Sequence, residues 1–250
     1  MLTRLTLAAG IALATALPLA AQDLTALTDE ERTAFRAEVR AYLLENPEVL
    51  MEAIAVLEQR QAEAQAEGDV LLVSQNAAEL FESPDDWVGG NPDGDITIVE
   101  FLDYRCGYCK RAHPEVKELL ESDGNIRLIV KELPILGPQS DLASRFALAA
   151  KLVAGDAAYA SVNDALMGLR GEISPASLDR LAADLGLDGA AILAQTTSED
   201  VERVLQRNRA LARAMDISGT PSFVMAGDMV RGYVPLKQMR LIVEEARSDG

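Results

Sequence analysis

The chain has 250 residues, 49% hydrophobic and 25% charged, with 10 Pro and 17 Gly, a composition that excludes wholesale disorder and fits a packed globular protein. Its 40 Asp and Glu outweigh 23 Lys and Arg, and the resulting formal charge of −17 repels the phosphates that dominate nucleic-acid affinity, so a nucleic-acid binder is excluded. One histidine, His113, is too few for a His-rich metal centre, and 2 Cys allow at most one disulfide.

Met1 to Ala21 carries one charge, Arg4, then a largely apolar run from Leu5 to Leu19, and ends in Ala20-Ala21. It reads as a cleaved secretory signal peptide, because the run falls short of the roughly 20 apolar residues a membrane span needs. The expected product is an exported, acidic protein. Residues 28 to 66 read as two helices broken at Asn46-Pro47, a cap followed by a proline at the first helical position. Leu50, Ile54, Leu57, Gln61 and Ala64 form a stripe on the second helix at alternating four- and three-residue steps. Two readings stay open for it: a short coiled-coil seam, which would make 22–79 an oligomerisation extension, or an amphipathic helix lying on its own domain.

The turn formers between Ser83 and Gly94 mark a boundary, after which 80–250 reads as one domain. Ile96 to Leu102 is a β-rich run apolar on both faces apart from Thr97 and Glu100, as a central strand is. A helix from Lys110 to Ser122 and a second strand, Ile126 to Val130, follow. Helical patterns fill most of Ser140 to Met215, an insertion spanning about 138–216. Ser222 to Ala226 and Met229 to Gly232 read as a hairpin across Gly227-Asp228, closed by a helix over 236–247. This order predicts an α/β thioredoxin-like fold with an inserted helical subdomain, preceded by a helical extension.

Cys106-Gly107-Tyr108-Cys109 sits where a strand gives way to a helix. Backbone N–H groups and the positive dipole end at a helix N-terminus stabilise a thiolate over a thiol, so Cys106 is the expected nucleophile and Cys109, one turn further in, the resolving partner. A structural zinc site lacks ligands, since only His113 remains as a further soft one, and a structural bridge closing so short a loop adds little stability. No metal or cofactor is expected beyond the redox-active Cys106–Cys109 pair itself. His113, two turns beyond Cys106 and about 10 Å along the axis, is expected at the surface rather than as a base, and Pro114 to kink the helix. Glu100 would be buried with a raised pKa and shuttle a proton for Cys109, or else be ion-paired with Lys131. Thr220-Pro221 precedes a strand; with a cis bond and packed on the cysteine loop, its backbone would pair with an extended substrate. The two thiolates would alternatively hold Cu(I) as a binding module without turnover.

The run Thr97 to Tyr104 leading into Cys106-Gly107-Tyr108-Cys109-Lys110, together with Thr220-Pro221-Ser222-Phe223, resembles the DsbA family of exported thiol-disulfide oxidoreductases over roughly Leu80 to Ala246. The stretch from Tyr42 to Leu50 is similar to the extension of the ScsC-like and Com1-like branch. The resemblance implies catalytic Cys106, Cys109 and Glu100, with Lys131 near that acid. It also implies substrate contacts at Thr220, Pro221 and Tyr108, and a periplasmic location. Expected partners are cysteine-containing exported proteins, a membrane redox partner of DsbB or DsbD type, and further copies of the chain through the N-terminal helices. The best-known oxidants carry Pro-His between the cysteines; Gly107-Tyr108 offers no such charge, which implies a weaker oxidant. Thr220 before the proline resembles the isomerase and reductase types.

Overall fold

The computed structural model describes residues 27–249, so the expected leader at 1–21 lies outside the described residues. The chain divides into two compact units at Gln59/Arg60. In the first, α1 (Asp29–Glu45) opens with a capping box, Thr28 Oγ1 accepting from the Glu31 N–H at 3.3 Å while the Glu31 carboxylate accepts from the Thr28 N–H at 2.9 Å. It ends where the Asn46 backbone and side-chain amides both donate to the Tyr42 carbonyl, and α2 (Glu48–Gln75) begins after Pro47. α1 has no buried residue, and Leu50, Ile54, Leu57, Gln61 and Ala64 on α2 are all exposed.

The second unit begins inside α2, earlier than the boundary between 79 and 80 that the turn-rich stretch implies. The reason is packing: Asp69 is buried and paired with Arg231, while Val73 and Leu80, the latter on α3 (Ala77–Phe81), lie in one apolar layer with Val99 and Phe101. The five-stranded sheet has the order β1-β3-β2-β4-β5. β2 (Ile96–Leu102) and β3 (Ile126–Glu132) are parallel, connected by α4 (Gly107–Asp123). β4 (Ser222–Met225) lies antiparallel beside β2, and β5 (Asp228–Arg231) is its hairpin partner. Between β3 and β4 come α5 (Pro138–Ala154), α6 (Asp156–Gly168), α7 (Pro175–Asp184), α8 (Gly189–Gln195) and α9 (Glu199–Ala214), the expected helical insertion. α10 (Leu236–Asp249) closes the chain.

β1 (Trp87–Gly90), antiparallel to β3, lies in the stretch read as turns. Its glycines serve close approach: Gly90 has φ +68°, and a Cβ there would stand 2.3 Å from the Ile126 carbonyl oxygen. Period-2 alternation along β2 and β3 sends Ile98, Leu102, Leu128 and Val130 to the layer holding α4, α10 and the insertion, and Val99, Phe101 and Ile129 to the opposite layer.

Candidate active site

Cys106 is the N-cap of α4, in extended backbone with φ −73° and ψ 117°. Its sulfur accepts from the Cys109 N–H at 3.5 Å, so it faces the free N–H groups at the positive end of a 17-residue helix. The loop that delivers it is held by Asp103, fully buried, whose carboxylate accepts from the N–H groups of Arg105, Ile135 and Leu136 and from Ser140 Oγ at 2.7 to 3.0 Å. Both cysteines are free thiols; Cys106 is 7% exposed and Cys109 0%. Burial pushes the Cys109 thiol strongly up; a backbone hydrogen bond from the Asp103 region opposes this, and the Glu100 and Cys106 charges add to it.

Thr220-Pro221 is a cis peptide, and the Cys106 thiol donates to the Thr220 carbonyl at 3.0 Å. Pro221 is buried and its own carbonyl accepts from the Gly232 N–H at 2.9 Å, which ties the loop to the end of β5. Two segments 114 residues apart thus meet at one sulfur. Tyr108 stands 60% exposed at the rim, stacked on Tyr233 at 6.1 Å between ring centroids. Arg111 lies 4.4 Å over the Tyr233 ring, and the Tyr233 hydroxyl donates to Glu115 at 2.6 Å. Tyr233 has no motif in the sequence; only its place after the hairpin brings it here.

Glu100 is 2% exposed, lines a cavity of about 520 Å3 with Val116, Leu128 and Val130, and leaves its Oε1 without a partner. Burial, and then the charge of Glu132, push its carboxyl up to about 8. The alternative pairing with Lys131 is corrected by the register: Glu100 lies beside Val130, and Lys131 beside Phe101, so their side chains leave the sheet on opposite faces. Lys131 is buried on its own face, donating to Asp86 and to the Glu79 carbonyl. Glu132 shares Glu100's face, and the sequence reading missed it. It accepts from Tyr104 and Tyr159 at 2.6 Å and from Ser144 at 2.7 Å, while burial pushes it up to about 7. His113 meets Asp164 at 2.8 Å, and burial holds its ring below the usual histidine range. Among the described residues no group of three or more His, Cys, Asp or Glu is placed to hold a metal, and no helix is long and apolar enough to cross a membrane.

A sulfur held at a helix start beside a proline-loop carbonyl, above a buried thiol and a buried acid, can exchange disulfides. Residues 97–244 match the DSBA-like thioredoxin domain, and residues 31–64 the copper resistance protein ScsC N-terminal domain. A thioredoxin-like oxidoreductase from Silicibacter pomeroyi is 40% identical, with a TM-score of 0.65 over 69% of this chain and 98% of that one. A linker-deletion mutant of Proteus mirabilis ScsC is 26% identical, with a TM-score of 0.66 over 91% of this chain and 100% of that one. Among curated relatives, the Na⁺/H⁺ antiporter NhaA 1 of Salinispora arenicola is 30% identical over 190 residues, 71% of this chain; the chain spans 28% of that protein's length.

Proposed function

The chain belongs to the DSBA-like thioredoxin domain family, and from that premise we propose that it is a periplasmic thiol-disulfide oxidoreductase that forms or rearranges disulfides in exported proteins. The observation that carries this reading is the 3.0 Å contact between the Cys106 sulfur and the carbonyl of Thr220.

In the oxidised form, a client thiolate attacks the Cys106 sulfur, the Cys106–Cys109 bond breaks, and Cys109 leaves with the electron pair. Burial makes a Cys109 thiolate costly, so the leaving sulfur needs a proton. Glu100, pushed up to about 8 and therefore protonated at neutral pH, supplies it. A second client thiolate then attacks the client sulfur of the mixed disulfide and releases Cys106 as thiolate. The client loses two electrons and the Cys106–Cys109 pair gains them. Run backwards, the same steps reduce a client disulfide, with Glu100 taking the proton as Cys109 attacks. Tyr108 lines the docking rim, and the Thr220 backbone pairs with the extended client.

Insulin reduction and refolding of scrambled ribonuclease test this directly. Cys106→Ser is expected to abolish both; activity that persists in the variant overturns the assignment. With Gly107-Tyr108 between the cysteines the protein is a weaker oxidant than the Pro-His enzymes, a point that equilibration with glutathione checks. The location rests on the leader-like Met1–Ala21, and re-oxidation or reduction on a membrane partner of DsbB or DsbD type. The exposed Leu50, Ile54 and Leu57 support self-association, which light scattering on the full chain and on a triple Asn variant measures.

A second reading, Cu(I) held by the two thiolates, draws on the copper-resistance description of the family matched at 31–64 and on the softness of sulfur ligands. The 0% exposure of Cys109 weighs against it. Tight Cu(I) binding without turnover would favour it.

A further inference from the structure

Beside the dithiol, a groove of about 970 Å3 lies between the first turns of α4 and the loop after α6, with Arg105, Lys110 and Arg170 on its wall. The Arg105 guanidinium donates to Gln139 Oε1, the same oxygen that accepts from the Ile173 N–H at 3.1 Å. The Lys110 ammonium donates to the carbonyl of Leu169, the neighbour of Arg170. Burial, followed by the Arg105 and Arg170 charges, holds Lys110 below its usual range, so the three cations lie close enough to repel one another. Arg105 and Lys110 are therefore fixed by neutral acceptors. Elsewhere in this unit Arg145, Arg207, Arg209, Arg231 and Arg247 are fixed by carboxylates. At the far end of the groove Asp164 pairs with Lys117 and His113, so the uncompensated charge sits at the end nearest Cys106.

In a chain with a net charge of −17, a pinned, unneutralised basic cluster is out of keeping with the rest of the surface, and it gives an incoming anion a gain the surrounding field withholds. Resting on the exchange reading above, we propose that this groove selects the client. An extended segment whose cysteine has reached Cys106 lays Asp or Glu side chains, a few residues from that cysteine, against Arg105, Lys110 and Arg170.

Three synthetic disulfide-linked peptides, identical except for two Asp, two Gln or two Lys beside the cysteine, test this with the full chain and a dithiol regenerant. The expected order of kcat/KM at low salt is Asp, then Gln, then Lys, with on the order of tenfold between the extremes, collapsing at high salt. Arg170→Glu is expected to invert the order while the Gln peptide keeps its rate, which also shows that the variant is folded. Equal rates for all three peptides, or an order unchanged in Arg170→Glu, overturn the groove's role and leave exchange standing. No reduction of any peptide overturns the exchange reading and this one with it.

Discussion

The two faces of the central sheet each bury an ionisable side chain from adjoining strands, and they treat it oppositely. On one face Lys131 meets the Asp86 carboxylate and the Glu79 carbonyl. Desolvation pushes Asp86 up and Lys131 down, and each partner's charge pulls the other back toward ionisation. On the other face Glu100 keeps an oxygen without a partner beside Cys109, with nothing to offset burial. A buried charge that only supports the fold is compensated; one left uncompensated next to a reacting sulfur is poised to take and give a proton.

The sharpest way to break this contrast is to remove compensation where it exists. Asp86→Ala leaves Lys131 buried without its carboxylate, and urea unfolding is expected to show a loss of about 3–5 kcal/mol. The reverse holds across the sheet. Below about pH 4.5 the Glu100 carboxyl is protonated in folded and unfolded chains alike; between 4.5 and about 8 only the folded chain keeps the proton, so stability falls as pH rises. Glu100→Gln is therefore expected to stabilise the protein by about 3 kcal/mol at pH 7 and by nearly nothing at pH 4. A variant less stable at pH 7 would show that Glu100 is compensated after all.

In stopped-flow exchange the same substitution is expected to slow the Cys109 step by roughly a hundredfold and to remove the pH dependence centred near 8. Wild-type pH dependence retained in Glu100→Gln would assign the proton to another group. The smallest effect is expected from removing both partners of the compensated pair: Asp86→Leu with Lys131→Met should be neutral or stabilising by roughly 1 kcal/mol, with exchange unchanged.

Local signals carried a large share of the fold and of the site. The helix start at Cys106, the apolar run 96–102, the helical insertion and the proline before β4 were legible because capping, periodicity and the strand-tolerant position of Pro221 act over a few residues. β1 was not, since Gly89 and Gly90 signal a turn unless the nearby Ile126 carbonyl is known. Glu132, Tyr104 and Tyr159 carry no local mark either; they meet across 27 and 28 residues.

What the amino-acid order determined by itself was which residues could do the chemistry: a dithiol at a helix start, an acid in an apolar strand, a proline ahead of another strand. Tertiary structure alone decided which of them meet. The parallel register of β2 and β3 sent Lys131 away from Glu100 and brought Glu132 toward it, because a one-residue offset in a period-2 strand exchanges faces. Chain packing, closing a gap of 114 residues, set the Thr220 carbonyl on the Cys106 sulfur, a contact that no short-range preference encodes.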